Sequence, residues 1–237
     1  MAGEVFTPRE MIDRLVAFDT TSRESNLALI HFVRDYLAEH EIDATLIHDQ
    51  TGKKANLFAT VGPIVDGGVV LSGHTDVVPV DGQNWASDPF QVVEREGKLF
   101  GRGTADMKSF CAIGLALVPD MVRRKLALPI HFALSYDEEV GCLGAPDLSR
   151  HLQGLPVQPQ ALIVGEPTEM KVVNAHKGCC AIRTIVTGLE GHSSETHKGV
   201  NSIFAAAKLI SYLADKAEAL QTSNVNPRFE PPYTTIQ

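Results

Sequence analysis

Apolar residues recur at helical spacing from the start of the chain. Met11, Ile12, Leu15, Val16 and Phe18 follow Thr7-Pro8-Arg9-Glu10, which has the composition of a capping box with proline at the first helical position. A helix is therefore predicted first. A second helical pattern covers 26–40 through Leu27, Ile30, Val33 and Leu37, and short β-rich runs follow at 44–47 and 56–61. Farther on, 69–72, 130–136 and 161–164 are apolar runs of the kind that form buried strands, while 107–118 and 144–152 read as the helices between them. This order predicts an α/β domain with a mostly parallel sheet flanked by helices. After about residue 178 the pattern changes to an alternating run at 181–187, a turn holding Gly188, Gly191 and His192, and an amphipathic helix over about 200–220. These features predict the start of a second, α+β domain, with 1–179 as the first domain and 180–237 as the incomplete second. The stretch 224–237 is rich in Pro and Asn and closes on what reads as the opening of a strand, so the chain is expected to be a fragment.

Composition narrows the classes. The chain has 237 residues, 44% hydrophobic and 21% charged, enough for one large core or one domain and part of another. A formal net charge of -8 argues against a general affinity for nucleic acid, which needs a cationic surface. The segment 1–10 lacks a basic region followed by an apolar stretch, and the longest uncharged apolar run, 109–119, is too short to cross a bilayer. No membrane partner and a cytoplasmic location are expected. Lys208, Asp215, Lys216 and Glu218 leave the last helix without the basic face of a membrane-surface helix. The four cysteines, Cys111, Cys142, Cys179 and Cys180, are too few and too irregular for a disulfide framework and form no Cys-x-x-Cys pair. They are expected to be reduced packing residues.

The candidate chemistry sits where apolar runs end. Asp137-Glu138-Glu139 closes one run, His74 and Asp76 follow another, and Glu166 follows a third. Adjacent carboxylates at the end of a core strand repel one another and resist desolvation, so they are tolerated where cations neutralise them or water reaches them. In open α/β sheets ligands bind beyond the carboxyl ends of strands, and here three strand ends agree. In Ser72-Gly73-His74-Thr75-Asp76 the imidazole and carboxylate lie two residues apart and share a face in extended chain, so Asp76 can orient His74. Each motif alone also has a plainer reading: a polar loop His with a helix-capping Asp, an N-cap for Asp106 in Gly101-Arg102-Gly103-Thr104-Ala105-Asp106-Met107-Lys108, a solvated acidic turn for 137–139 and for Glu166. The glycines around Arg102 do not match a phosphate loop. Together, His74, Asp76, Asp106, Asp137-Glu138-Glu139 and Glu166 offer imidazole and carboxylate ligands suited to zinc, cobalt or manganese, with a spare carboxylate to act as base.

These motifs, with Gly165-Glu166-Pro167-Thr168 and Gly191-His192-Ser193-Ser194, resemble the M20 family of metallopeptidases and deacylases across nearly the whole chain. The resemblance implies a zinc-exopeptidase-like catalytic domain in which His74 and Glu166 hold one metal, Glu139 the other, and Asp106 bridges them. It also implies Glu138 as general acid/base, Asp76 as the partner of His74, and His192 as an oxyanion donor reaching the active site of the partner subunit in a homodimer built through the lid. Two divalent metals, Zn2+ or Co2+, are implied for the full-length protein. None of His31, His40, His48, His131, His151, His176 and His197 matches the family's late His ligand, so one metal or none is expected in this chain. Asn174-Ala175-His176-Lys177-Gly178 resembles the acetylornithine deacetylases within the family, implying a small-molecule N-acyl amino acid substrate and hydrolysis of N-acetylornithine. The alternatives are another N-acyl-amino-acid deacylase, a desuccinylase, a dipeptidase or carboxypeptidase, or, for this chain, a non-catalytic metal-binding or dimerisation module.

Overall fold

A computed structural model describes residues 3–237. Met1 and Ala2, which open the segment read above for a leader, lie outside the described residues. The chain divides into two compact units, Met1–Met170 and Lys171–Gln237.

In the first unit the helix α1 spans Pro8–Val16, and the capping box forms as predicted. Thr7 Oγ1 accepts from the Glu10 N–H at 3.3 Å, and the Glu10 carboxylate accepts from the Thr7 N–H at 2.8 Å. Helix α2 spans Leu27–Glu39, and strands β1 (Ala44–His48), β2 (Ala55–Val61) and β3 (Val69–His74) follow. A hairpin of β4 (Val93–Arg95) and β5 (Lys98–Phe100), three residues per strand, has no counterpart in the sequence reading. Helix α3 (Lys108–Ala116) leads straight into α4 (Val118–Arg124), with Pro119 in its first turn; then come β6 (Ile130–Ser135), α5 (Ala145–Gln153) and β7 (Ala161–Val164).

The five-stranded sheet has the order β1-β2-β6-β3-β7. Pairs β6·β3 and β3·β7 are parallel, while β1·β2 and β2·β6 are antiparallel. Only β2 runs against the other four, so the mostly parallel α/β sheet is present. Alternation divides the strand residues between two cores. Leu57, Ala59, Phe132 and Leu134 join Met11, Leu15, Leu29, Ile30 and Leu115 on one face, and Phe58, Val70 and Ala133 join Leu148 of α5 on the other. Helices thus cover both faces, and β2 reads as an almost continuous apolar run. The register aligns His74 of β3 with Ser135 of β6 and Ser72 with Val164 of β7. Extending β7 by two residues brings Glu166 level with His74, while Asp137 and Glu138 follow two and three residues beyond Ser135, the residue paired with His74.

One sequence expectation fails here. Strand β7 was expected to be buried, but all four of its residues are exposed. It is an edge strand, hydrogen-bonded to β3 on one side only.

The second unit contains a short 3₁₀ turn, Thr196–Lys198, and helix α6, Ser202–Leu220. Asn201 caps α6, its side-chain oxygen accepting from the N–H groups of Ile203 at 2.9 Å and Phe204 at 3.3 Å. The strand expected at 181–187 is absent; the nearest pairing is an isolated bridge between Leu189 and Val200. Alternation alone cannot make a strand, because the backbone needs a partner edge, and here Ile182 and Ile185 stay exposed.

Candidate metal centre

The site forms at the carboxyl ends of the parallel strands. His74 is the last residue of β3 and its side chain is 1% exposed. Its neighbour Gly73 has no room for a side chain: a Cβ there would lie 2.6 Å from Cys111 Sγ and 2.9 Å from Met107 Cε, so glycine lets α3 pack against the strand that presents the imidazole. His74 Nδ1 lies 2.9 Å from the Asp76 carbonyl oxygen, which only accepts, so Nδ1 carries the proton. In the neutral ring Nε2 is then a bare lone pair. It faces Asp106 Oδ1 at 2.9 Å, Glu166 Oε1 at 3.9 Å and Glu138 Oε2 at 4.0 Å. A lone pair turned onto carboxylates needs a proton or a cation between them. In the metal-free site the proton takes that place. Burial pulls the His74 pKa down, but the bonds to Asp76 and Asp106 outweigh it and raise it from 6.5 to about 9.

Two groups of side chains, both including His74, bring ligand atoms within 4.8 Å of one another: His74, Asp106 and Glu139, and His74, Glu138 and Glu166. The grouping sets Glu138 beside Glu166, a pairing the sequence reading did not contain. Asp106 is not a helix cap: Met107 occupies the N-cap position of α3 and no side chain caps it. Asp106 arrives on the loop after β5, where Gly103, at φ +88°, makes a turn strained for any other residue. Arg102 anchors that loop, donating to Gln83 Oε1 at 2.7 Å and lying over the Trp85 ring at 5.1 Å. Asp106 and Glu139 line one side of a cavity of about 180 Å³ beside this loop.

Electrostatics match a cation site. Burial raises the Glu139 pKa above the ordinary value, and repulsion from Asp106 adds to it. Burial also raises that of Glu166, opposed by His74 and reinforced by Asp106 and Glu138. Carboxylates that hold their protons too tightly when alone are relieved by a divalent ion. One imidazole with three or four carboxylates is a donor set that fits zinc, cobalt or manganese.

Asp76 serves as an anchor. It is buried, and its carboxylate accepts from Ser22 Oγ at 2.7 Å, Glu138 N–H at 3.0 Å and Glu139 N–H at 3.2 Å, with His74 Nδ1 3.5 Å away. Burial would raise its pKa, but the bonds from His74, Ser22 and Glu138 more than offset that and lower it. Its backbone carbonyl therefore fixes the His74 tautomer, while its carboxylate holds the acidic turn.

The sequence reading missed three neighbours of this cluster. Ser22 comes from the α1–α2 loop, Lys54 precedes β2, and Cys142 Sγ donates to Glu138 Oε1 at 3.5 Å. No local spacing marks Ser22 or Lys54, which the fold brings in from far along the chain, whereas Cys142 lies four residues after Glu138 in the same turn. Of the four cysteines only Cys111 is a packing residue; Cys142, Cys179 and Cys180 are exposed. His192 belongs to the second unit, is exposed, and pairs its Nδ1 with Ser194 Oγ at 2.7 Å.

The description "Peptidase family M20/M25/M40" matches residues 70–235. The chain is 37% identical over 222 residues to a protein of Proteus mirabilis (strain HI4320) named acetylornithine deacetylase, an alignment covering 93% of this chain and 56% of that protein. A protein of the same name from Pasteurella multocida (strain Pm70) is 35% identical over 234 residues, covering 96% of this chain and 60% of that one. Among solved structures, the M20 family metallo-carboxypeptidase Sso-CP2 from Sulfolobus solfataricus superposes with a TM-score of 0.59 over 68% of this chain and 37% of that one; at 16% identity the likeness is one of fold. The chain belongs to peptidase family M20/M25/M40. It spans 56–60% of the length of these two curated relatives.

Proposed function

We propose that this chain is the metal-binding part of a metal-dependent amidohydrolase that removes the acetyl group from N-acetylornithine to give ornithine, a step of arginine biosynthesis. The observation that carries the reading is His74, buried with its Nε2 turned onto Asp106, Glu138 and Glu166. The 35–37% identity to the two deacetylases named above supports the substrate.

In this reading His74, Asp106, Glu139 and Glu166 hold divalent metal, zinc or cobalt. A metal there supplies Lewis-acid polarisation of the amide carbonyl and lowers the pKa of water. Glu138, with its carboxylate 38% exposed at the rim, takes the proton from the attacking water and returns it to the departing amine nitrogen. Asp76 holds the Glu138 and Glu139 backbone in place and His74 in one tautomer. In a homodimer built through a lid part beginning near residue 180, His192 supplies a donor to the oxyanion that develops in the active site of the partner subunit. The exposed apolar residues of α6, Ile203, Phe204 and Ile210 among them, support such a homodimer. A cytoplasmic setting fits a small-molecule substrate, and no helix among the described residues is long and apolar enough to cross a membrane.

The test is deacetylation of N-acetylornithine, beside N-succinyl and dipeptide substrates, by a form extended to the length of the relatives and by its Glu138→Gln variant. Turnover of the acetyl substrate, lost in the variant while metal content is kept, is the expected result. Indifference to the substitution would indicate a binding module.

A further inference from the structure

The acidic turn that carries Glu138 and Glu139 is held from two sides, and only one of them is Asp76. On the other side lies Asp137, buried, at φ +54°, an uncommon conformation for a non-glycine residue that Asp adopts more readily than most. Its Oδ1 accepts from Lys54 Nζ. The same Nζ donates to the backbone carbonyl of Ser22, whose hydroxyl donates to Asp76 Oδ2 at 2.7 Å. Asp76 in turn accepts from the Glu138 and Glu139 N–H groups, directly after Asp137 in the chain. The contacts close a ring: Lys54, Ser22, Asp76, the acidic turn, Asp137 and back to Lys54.

Lys54 is well placed to hold that ring. Its backbone is pinned at the β1–β2 hairpin, where its N–H donates to Asp49 Oδ1 at 3.0 Å and its carbonyl accepts from the Asp49 N–H at 2.9 Å. Its side chain is 15% exposed and that of Asp137 10%, so the pair is shielded from solvent. Ser22 is fixed in its turn, its N–H donating to the Val77 carbonyl at 3.1 Å. The ammonium binds neither Glu138 nor Glu139, so its effect on them is transmitted through the backbone.

Resting on the proposed hydrolase reading, we infer that Lys54 is a positioning residue for the reaction: by locking Asp137 it sets the backbone from which Glu138 and Glu139 reach the metal and the substrate. Removing a partner that orients metal ligands typically lowers activity or metal affinity about 10–100-fold.

The test uses the form extended to the length of the relatives, with cobalt as the metal. Lys54→Met is expected to lower kcat about 10–100-fold with KM within about 2-fold, and to shift the visible absorption of the cobalt protein. Lys54→Arg should restore most of kcat, since Arg keeps the charge and the donors. Asp137→Asn should resemble Lys54→Met, and the double variant should be no worse than the poorer single one, as for residues acting as one unit. Wild-type kcat and an unshifted spectrum in Lys54→Met would overturn the inference. If Lys54→Met does not fold, Asp137→Asn decides in the same way. Failure of the wild-type protein itself to bind cobalt or hydrolyse an amide would overturn the functional reading and the inference with it.

Discussion

Helices α2 and α6 are both amphipathic in sequence, and the two units use them differently. In α2, Leu29, Ile30, Val33 and Leu37 are wholly buried against the sheet and its neighbouring helices. In α6 no residue is buried, and Ile203 and Phe204 are 73% and 70% exposed. Periodicity therefore tells which face of a helix is apolar, but what covers the face is a property of the tertiary structure. The strand positions repeat the lesson: β2 and β6 sit between neighbours and are buried, while the edge strand β7 and the unpaired run at 181–187 are exposed.

If the first unit holds both the core and the chemistry, the largest effects should come from its site. In the extended form Glu138→Gln is expected to lower kcat by about 10²–10⁴-fold, the usual contribution of a general acid/base, with metal content unchanged. Steady-state kinetics beside elemental analysis checks this.

Next in size is the contrast between helices. Leu29→Ala should destabilise the chain by about 2–5 kcal/mol, while Ile203→Ala in α6 should change stability by at most about 0.5 kcal/mol. Urea unfolding of both variants measures the difference, and equal losses would break the comparison.

The pH dependence sharpens it further. The His74 pKa is raised from 6.5 to about 9 in the folded, metal-free state, so the folded state binds the extra proton. Its stabilising contribution is complete below about pH 6.5 and is lost as pH rises through about 9. Lys108, buried behind the site with its Nζ donating to the Phe18 carbonyl at 2.7 Å, acts oppositely. Burial lowers its pKa from 10.5 to about 8, which costs stability below pH 8 and relieves that cost as pH rises toward 10.5. The stability difference between wild type and His74→Asn isolates the histidine, and it should shrink between pH 6 and pH 9.5 when measured by urea unfolding.

The smallest effect expected is at the helix cap. Thr7→Ala removes the side chain that accepts from the Glu10 N–H and should cost about 1 kcal/mol, seen as a lower urea midpoint.

Much of the first unit was legible in the chain. The capping residues at 7–10, the apolar periodicity of α2 and the short apolar runs of β2, β3 and β6 each follow from local chemistry. The candidate metal cluster was legible because strand ends carried His74, Glu138 with Glu139, and Glu166, and a parallel register needs only to align them. Asp106 was less so, since its position before α3 suited a cap equally well. Ser22 and Lys54 were not legible: they reach Asp76 and Asp137 from far along the chain, and nothing near them in sequence foretells the contact. The β4–β5 hairpin was missed because strands of three residues carry too little alternation to register.

The most direct measurement is a Co2+ titration of this chain followed by visible absorption, in parallel with its His74→Ala variant. The account predicts saturable binding at one site per chain, weaker at low pH where His74 keeps its proton, and abolished in the variant. Absence of saturable binding, or binding indifferent to His74→Ala, would contradict a metal centre built on β3, β6 and β7.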